Sequence, residues 1–309
     1  MQINVKIDWT QQLSLLYFLN MKKPLIIQGR EVQEKDILQI RGLLSEHPDW
    51  NRSRLSVEIC KIWNWRRFNG ELKDIACREY LRKLEMREFI VLPPRQSTPP
   101  GKGRKIPDVN FEKVVIQDDF NLKQDVSICN ARDKKADEKL FNCLLKNYHY
   151  LSFSRPVGES MKYLIKDFSG APLGCMLFGS AAWKLQERDD FIGWDQDSRE
   201  KNLCFLTNNT RFLILPWVKV TNLASFILAK CLKLLNFDWQ NRYGHEICLV
   251  ETFVDRELYH GTCYKAANWL LTGQTKGRGR QDRYTKREAS IKDIYLYPLK
   301  KNYNQILTQ

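Results

Sequence analysis

The sequence lacks the features of a membrane protein or of a secreted one. None of its apolar runs reaches the ~18 residues that a membrane-spanning helix needs. The apolar stretch LSLLYFLNM near the start has no basic segment before it and lies close to Asp8, which argues against a signal peptide. No basic amphipathic helix stands apart from the rest of the chain. We therefore expect a globular protein with no membrane partner.

The nine cysteines include no C-x-x-C pair. Their number is odd and most of them lie inside apolar runs, a pattern that predicts buried free thiols in a protein of the reducing cytoplasm. His260 and Cys263 have the spacing of half a zinc site, but the sequence holds no second pair at a suitable spacing. A structural zinc ion is therefore not expected.

The chain is strongly basic. Its 309 residues carry a formal net charge of +14, and 43% of them are hydrophobic, which is enough for the cores of two domains. A basic surface attracts polyanions by long-range steering and by the release of counterions. DNA is therefore the expected partner.

Three helical periodicities follow one another in the N-terminal part of the chain. Apolar residues recur at helical spacing in Ile37, Ile40 and Leu44, then in Leu55, Ile59 and Ile62, then in Leu72, Ile75, Ala76, Tyr80 and Leu84. The run FIVLPPR after them is extended and is stopped by Pro93 and Pro94. Three helices and a trailing strand are typical of a winged helix, so we predict a winged-helix DNA-binding domain over residues 1–92.

Cations cluster on and around the third predicted helix. Arg78 and Arg82 are four residues apart and share one face of it, as in a recognition helix. The predicted DNA-binding residues of this domain are Arg66, Arg67, Lys73, Arg78, Arg82, Lys83, Arg87 and Arg95. The alternative is a solvated face, which any charged helix has. Residues 93–113, rich in proline, glycine and basic residues, are predicted to be a linker.

From Val114 onward, strands and helices alternate. Strands are expected at VVIQDDF, on both sides of the Ser-Gly turn in MKYLIKDFSGAPLGCMLFGSAAW, and at RFLILPWVKV, EICLVETFV and DIYLYPL. Helices are expected over residues 133–148 and at NLASFILAKCLKLL and GTCYKAANW, with a polar, aromatic loop over residues 184–201. The alternation predicts an α/β (α+β) domain with a mixed sheet over residues 114–309.

Four long motifs carry a family resemblance. YHYLSFSRPVGESMKYLI, PLGCMLFGSAAWKLQERDDFIGW, NNTRFLILPWVKVTNLASFILA and ETFVDRELYHGTCYKAANWLLTGQTKGRGRQDR resemble the DruA family of the Druantia anti-phage systems. The resemblance covers roughly residues 141–299, and related domains accompany transposase genes. It implies a DNA-directed role in defence or in mobile elements. It also implies a helicase and other defence-system proteins as partners.

The order of elements from Val114 onward is also similar to the acetyltransferase fold of the GNAT superfamily. LPWVKVTNLASFILAKCLKLL would be its fourth strand and cofactor-binding helix, and CLVETFVDRELYHGTCYKAANWLLTG its fifth strand, fourth helix and closing strand. Acetyl-CoA binding in that superfamily needs a glycine-rich turn that holds the pyrophosphate at a helix N-terminus. VTNLAS has no glycine, so acetyl-CoA is not the expected cofactor, although the fold is expected to be GNAT-like.

Acidic residues at the end of one predicted strand are candidates for catalysis. Glu251 and Asp255 stand at and just beyond the end of EICLVETFV, His260 follows, and two such carboxylates can hold Mg²⁺ in a nuclease. Asp195, in the loop upstream, is a candidate to complete the site. The alternative is that Asp255 caps the following turn and that Glu251 pairs with an arginine.

His149 lies between Tyr148 and Tyr150 at the end of a predicted helix. It is a candidate general base, and the three rings are also candidates to stack on a nucleobase. The alternative is a packed aromatic cluster at the end of the helix.

The segment TKGRGRQDRYTKR indicates contact with a phosphate backbone. Its glycines let the main chain approach closely, its cations neutralise phosphates, and its tyrosine offers a stacking face. The predicted nucleic-acid contacts here are Lys276, Arg278, Arg280, Arg283, Tyr284, Lys286 and Arg287. The alternative is a solvated loop.

Three functions remain open from the sequence. The first is a DNA-binding component of an anti-phage or mobile-element system. The second is a Mg²⁺-dependent nuclease or strand-transfer enzyme that uses Glu251 and Asp255. The third is an acyltransferase, against which the missing glycine turn argues.

Overall fold

The computed structural model describes residues 24–95, 106–117, 120–277 and 290–308. The chain forms two compact units, Met1–Gly103 and Arg104–Gln309. The division between them falls inside the segment that was predicted to be a linker.

The N-terminal unit contains the three predicted helices. A two-stranded antiparallel hairpin precedes them, and the elements are β1 (Ile26–Ile27), β2 (Arg30–Glu31), α1 (Glu34–Glu46), α2 (Arg52–Ile62) and α3 (Asp74–Glu85). Most of the predicted apolar positions form its core, including Ile40, Ile59 and Tyr80. Two do not, because Ile62 is 49% exposed and Ile75 is 61% exposed.

The trailing strand of the predicted winged helix does not form among the described residues. The segment after α3 instead packs Phe89, Ile90 and Leu92 into the core, while its carbonyls accept hydrogen bonds from arginine side chains. Arg41 Nε donates to the carbonyl of Phe89 at 2.9 Å, and Arg52 Nε donates to that of Pro93 at 2.7 Å. The three helices of the prediction are confirmed, and the wing is not.

The C-terminal unit is built on one seven-stranded mixed sheet. Its strands are β3 (Ser127–Asn130), β4 (Met161–Lys166), β5 (Pro172–Ser180), β6 (Leu206–Ile214), β7 (Leu249–Asp255), β8 (Leu270–Gln274) and β9 (Lys292–Pro298), in the spatial order β3-β4-β5-β6-β7-β9-β8. Its helices are α4 (Leu122–Asp125), α5 (Lys135–Tyr148), α6 (Gln186–Ile192), α7 (Gln196–Asn202), α8 (Leu223–Tyr243), α9 (Thr262–Ala266) and α10 (Tyr303–Leu307), with a short 3₁₀ turn at Leu203–Phe205.

Neighbouring strands are antiparallel except for β6 and β7, which are parallel. The crossover between these two is the long helix α8, as a parallel pair requires. The predicted mixed α/β fold is confirmed, and the order of elements is the GNAT-like order that the resemblance implied.

Three local predictions are corrected. VVIQDDF forms no strand in its described residues, only a single bridge between Ile116 and Val218, and the first strand of the sheet is β3. The predicted loop over residues 184–201 contains helices α6 and α7. Strand β6 begins at Leu206, five residues before the predicted start at Arg211.

All nine cysteines are free thiols, as the sequence predicts. Six of them are buried, and Cys204 is exposed. Across the part of the chain that the structure describes, no helix combines the length and the apolar character needed to cross a membrane.

Candidate binding cleft

Strands β6 and β7 pair over only three positions and then diverge. The pairs run from Leu206–Leu249 to Asn208–Glu251, although β6 continues to Ile214 and β7 to Asp255. Beyond the last pair, the two strands form the walls of a cleft of about 460 Å³. We call it the splay cleft.

Side chains replace the lost main-chain pairing where the strands separate. Thr252 Oγ1 donates to the carbonyl of Asn209 at 2.9 Å across the two strands. Tyr264, on α9, donates its hydroxyl to Asn209 Oδ1 at 2.8 Å. These hydrogen bonds satisfy polar groups of Asn209 that have no partner on β7 in the β-ladder, so they stabilise the separated strands.

Glu251 belongs to the last pair before the two strands separate and is fully buried. Its Oε1 accepts from the main-chain N–H of Ala182 at 2.6 Å and from Asn208 Nδ2 at 3.1 Å, and its Oε2 accepts from Arg188 Nη1 at 2.9 Å. Burial raises the pKa of Glu251, and the charge of Arg188 and these hydrogen bonds oppose that rise. Glu251 is an ion-pair partner, which was the alternative to the metal-ligand prediction.

Arg188 belongs to a buried ionic network that the sequence analysis missed. It also contacts Asp189 at 2.7 Å, and Asp189 contacts Arg199 at 3.1 Å. Residues 184–201 were predicted to be a polar, aromatic loop, and Arg188 was not named as a partner of Glu251. The available signal was the helical spacing of Leu185, Arg188 and Ile192, which places the arginine on an apolar face.

Asp255 ends β7 and also has protein partners. Its Oδ1 accepts from the main-chain N–H of Glu257 at 3.2 Å, and its Oδ2 accepts from the hydroxyl of Ser290. Four residues along one strand separate the Cα atoms of Glu251 and Asp255 by about 13 Å. Within the described ranges, no three His, Cys, Asp or Glu side chains are grouped as metal ligands. The predicted Mg²⁺ site of Glu251 and Asp255 is therefore corrected.

The two remaining candidates, Asp195 and His260, lie in different parts of the C-terminal unit. Asp195 is an exposed helix cap, because its Oδ1 accepts from the N–H of Ser198 at 2.8 Å at the start of α7. This hydrogen bond lowers the pKa of Asp195. His260 does line the splay cleft, where it is exposed to solvent.

His149 lines the splay cleft as a neutral ring. Burial, reinforced by the charge of Arg211, lowers the pKa of His149 to about 4. Its Nδ1 accepts from the N–H of Leu151 at 3.1 Å, so the neutral ring carries its proton on Nε2. A group with this pKa is a poor proton acceptor near pH 7, which argues against the general-base prediction.

Three aromatic rings form what we call the aromatic rim of the splay cleft: His149, Tyr150 and Tyr259. His149 stacks on Tyr150 with ring centroids 4.8 Å apart, and Tyr150 lies 5.7 Å from Tyr259. Tyr150 is 43% exposed and Tyr259 is 51% exposed. Tyr148 packs instead against Phe111 and Trp217. The rim therefore presents ring surface to solvent at the entrance.

The predicted basic segment connects β8 to β9. Of its contacts, Lys276 is described, and its Nζ donates to Gln186 Oε1 at 3.0 Å. The other predicted contacts lie outside the described residues, namely Arg278, Arg280, Arg283, Tyr284, Lys286 and Arg287. Before the segment, Thr275 N–H donates to the carbonyl of Lys292, a cleft residue. After it, Ser290 bonds to Asp255, so both ends of the segment join the wall of the splay cleft.

The predicted cations of the N-terminal unit lie mostly on its surface. Arg78 pairs with Asp74 at 2.9 Å and Arg82 with Glu79 at 2.6 Å, each within one turn of α3. Arg66 and Arg87 donate to main-chain carbonyls of their own segments, Lys73 precedes α3, and Arg67, Lys83 and Arg95 are at least partly exposed. The acid partners reduce the positive charge of the face without burying it.

The family model described as "Druantia protein DruA" matches residues 113–289, more than half of the chain. The chain therefore belongs to the family of the Druantia protein DruA. No curated protein matches the sequence.

Solved structures that resemble the chain include spermidine acetyltransferases from Vibrio cholerae. SpeG with manganese ions is 10% identical with a TM-score of 0.39 and covers 60% of this chain and 99% of its own. The dodecameric enzyme in an intermediate state is 10% identical with a TM-score of 0.39 and covers 59% of this chain and 98% of its own. The enzyme with CoA and spermine is 11% identical with a TM-score of 0.36 and covers 56% of this chain and 95% of its own.

Replacing Glu251 with Gln removes the charge that Arg188 faces in its buried position. We expect the free energy of unfolding of the C-terminal unit to fall by about 3 kcal/mol, because the remaining arginine charge loses a partner away from water. The matched control is Asp190→Asn, which removes an exposed charge of the same helix and should cost less than about 0.5 kcal/mol. Urea denaturation measures both, and equally small losses would contradict the buried-pair interpretation.

The pKa of His149 predicts a dependence of stability on pH. The unfolded chain binds a proton here near pH 6.5, whereas the folded chain does so near pH 4. Stability should therefore be complete above pH 6.5 and fall as the pH drops toward 4. Between pH 7 and pH 5, the wild-type protein should lose about 1 kcal/mol more than His149→Gln, after allowance for partial exposure. An equal loss in both proteins would contradict the lowered pKa.

Proposed function

We propose that this protein is the DNA-binding component of a Druantia anti-phage defence system, and that its C-terminal unit binds a DNA strand at the splay cleft. Family membership supports the defence role and, with it, a helicase and other defence proteins as partners. The observation that carries the DNA proposal is that both ends of the most basic segment join the wall of the splay cleft.

The charge and the chemistry of this region fit a nucleic-acid strand. Six basic residues lie between positions 276 and 287, and each phosphate they neutralise adds to affinity through counterion release. The aromatic rim supplies ring faces at the cleft whose wall the two ends of that segment join, and bases stack on such faces whatever their sequence. A backbone held by cations and bases held by rings is the usual arrangement of single-strand binding proteins.

The exposed face of α3 is the proposed second contact. Its ion pairs join partly exposed or exposed side chains of one helix, and such solvent-accessible pairs contribute up to about 1 kcal/mol each. Arg78 and Arg82 can therefore exchange their acid partners for phosphates at little cost. Apolar Ile75, on the same helix and exposed, offers a surface for thymine methyl groups.

Fluorescence anisotropy with labelled single-stranded, duplex and branched DNA tests the proposal. Arg278→Ala with Arg280→Ala should weaken binding and reduce the slope of log affinity against log salt by up to about two units, one for each lost phosphate contact. The control is Lys135→Ala with Lys139→Ala, which removes two exposed charges from α5 and should leave the slope nearly unchanged. Arg78→Ala with Arg82→Ala tests the N-terminal contact on duplex DNA in the same way.

Each possible result has a distinct meaning. If the wild-type protein binds none of the DNA forms at low salt, the proposed function is wrong. If control and test variants change the slope equally, binding is due to general charge and not to the basic segment. Incubation of the same DNA with Mg²⁺ or with EDTA detects any cleavage in the same samples.

Acyl transfer is the second candidate, and the divergence of two parallel strands in a GNAT-like sheet favours it. The turn before α8 argues against it. There, the main-chain N–H of Lys219 donates to Ile116 at 2.9 Å and that of Val218 to Leu215 at 2.9 Å. Asn222, in the position before the helix, has a φ of 63° and makes no capping bond with its side chain. Two of the main-chain N–H groups in this turn are thus already used within the protein, which leaves fewer donors for a pyrophosphate.

Isothermal titration calorimetry with acetyl-CoA decides between the two candidates. Because the turn has no glycine and the N–H groups of Val218 and Lys219 bond within the protein, we expect a dissociation constant no tighter than about 1 mM, equivalent to roughly 4 kcal/mol. Desulfo-CoA serves as a control for contacts that do not involve the thiol. A micromolar dissociation constant would establish the acyltransferase candidate in place of the expectation.

A further inference from the structure

The connection between α2 and α3 is a tight hairpin over residues 65–73, which we call the connecting hairpin. The main-chain N–H of Arg67 donates to the carbonyl of Glu71 at 2.7 Å, and that of Gly70 donates to the carbonyl of Arg67 at 3.0 Å. Gly70 has a φ of 83°, a conformation that glycine adopts without strain. A three-residue loop that ends in such a glycine is a common way to close a hairpin. The turn therefore has a defined shape.

Contacts with the core and within the segment hold the connecting hairpin in place. Trp65, at its start, belongs to the core of the N-terminal unit, and its carbonyl accepts from the main-chain N–H of Lys73 at 3.0 Å. Arg66 and Leu72 form an antiparallel bridge, and Arg66 Nη1 donates to the carbonyl of Gly70 at 2.8 Å. Because these contacts fix the shape of the hairpin in the free protein, its tip loses little conformational entropy on binding.

Phe68 stands at the tip of the connecting hairpin and is 56% exposed. Turn positions are usually polar, because a ring left in water forgoes the free energy of burial. Lys73 Nζ lies 6.0 Å from the centre of the Phe68 ring, and Lys73 directly precedes α3. The tip therefore lies near the start of the helix that is the proposed duplex contact.

The charge of the connecting hairpin indicates what its tip can meet. Residues 64–73 contain the cations Arg66, Arg67 and Lys73 and one acid, Glu71. A cationic segment attracts a polyanion, and an exposed ring needs a flat apolar surface beside that charge. The stacked bases of a duplex, between their two phosphate backbones, provide both in one molecule.

We propose that Phe68 enters a base step of a duplex bound at α3, where it partly unstacks the neighbouring base pairs and kinks the duplex. Proteins that bend DNA commonly use an apolar side chain as such a wedge, and the extra contact with the bent duplex offsets the unstacking. Arg67 and Lys73 supply cations for the phosphates that flank the step. The inference rests on the proposed DNA binding by α3 and adds what that binding does to the DNA.

Energy transfer between dyes at the two ends of a duplex of about 20 base pairs measures the kink in solution. The full-length wild-type protein should shorten the distance between the dyes. Phe68→Ala should restore most of that distance and weaken binding about tenfold, as expected for the loss of a partly buried ring. The slope of log affinity against log salt should stay unchanged, because a ring releases no counterions. The control is Leu38→Ala, an apolar residue of α1 that is 47% exposed, which should preserve distance and affinity.

Two further variants separate the wedge from the charge around it. Phe68→Leu keeps an apolar side chain at the tip and should retain much of the kink. Arg67→Ala should reduce the salt slope by up to about one unit and leave the kink in the DNA that is still bound. A duplex with a central mismatch is easier to unstack, so the wild-type protein should prefer it to the matched duplex, and Phe68→Ala should lose this preference.

The outcomes distinguish the wedge from the proposed function. Because Phe68 is exposed, its variants should melt at the wild-type temperature. An equal kink and affinity in the wild-type protein and in Phe68→Ala would overturn the wedge while DNA binding at α3 stands. If the wild-type protein binds no duplex at low salt, the proposed α3 contact fails and the inference fails with it. If Phe68→Ala leaves the DNA results unchanged but weakens binding to another protein of the defence system, the tip is a protein contact and the inference is overturned.

Discussion

The buried ion pair between Arg188 and Glu251 is the contact on which the architecture of the cleft depends. Both side chains are fully buried, so their desolvation is recovered only through several hydrogen bonds to each. The carboxylate has partners in the Ala182 main chain and in Asn208, and the guanidinium has a second carboxylate in Asp189. This ion pair thereby fixes α6 to the sheet at the last paired position of β6 and β7, before the two strands separate.

Beyond this ion pair, the divergence of β6 and β7 opens the space that forms the splay cleft. If β6 and β7 stayed paired as far as Asp255, their facing edges would be hydrogen-bonded to each other. Here Thr252 and Tyr264 instead donate hydrogen bonds to Asn209, and the space between the strands stays open. The wall of this space then receives both ends of the most basic segment of the sequence through Lys292 and Ser290. Rigid strands thus carry the polar groups of this space, and the most basic segment belongs to a connection whose two ends join its wall, which is a common division between scaffold and loop.

Sequence patterns predicted the elements whose signal is local. The two strands around the Ser-Gly turn, the helix ending at Tyr148 and the long helix α8 follow directly from periodicity, and the GNAT-like order followed from the motifs. The failures share a physical cause, because they depend on contacts distant in sequence. Arg188 pairs with Glu251, which stands 63 residues away, and although the spacing of Leu185, Arg188 and Ile192 indicates an apolar face, no window around residue 188 identifies that partner. For the same reason, Glu251 was located correctly as a strand-end acid, while its partner could not be identified.

The fold constrains the function of this chain less than the hydrogen-bonding groups and rings around the splay cleft and the turn before α8 do. A sheet with one diverging parallel pair can hold any narrow ligand between the strands, and relatives in fold need not share a ligand. In this chain, the main-chain N–H groups of Val218 and Lys219, before α8, bond within the protein, whereas the aromatic rim presents ring faces to solvent. A pyrophosphate needs main-chain donors at the first place, and a stacked base needs ring faces at the second. This distribution of groups is the reason for proposing a nucleic-acid ligand and not an acyl carrier, even though the order of strands alone would suit both.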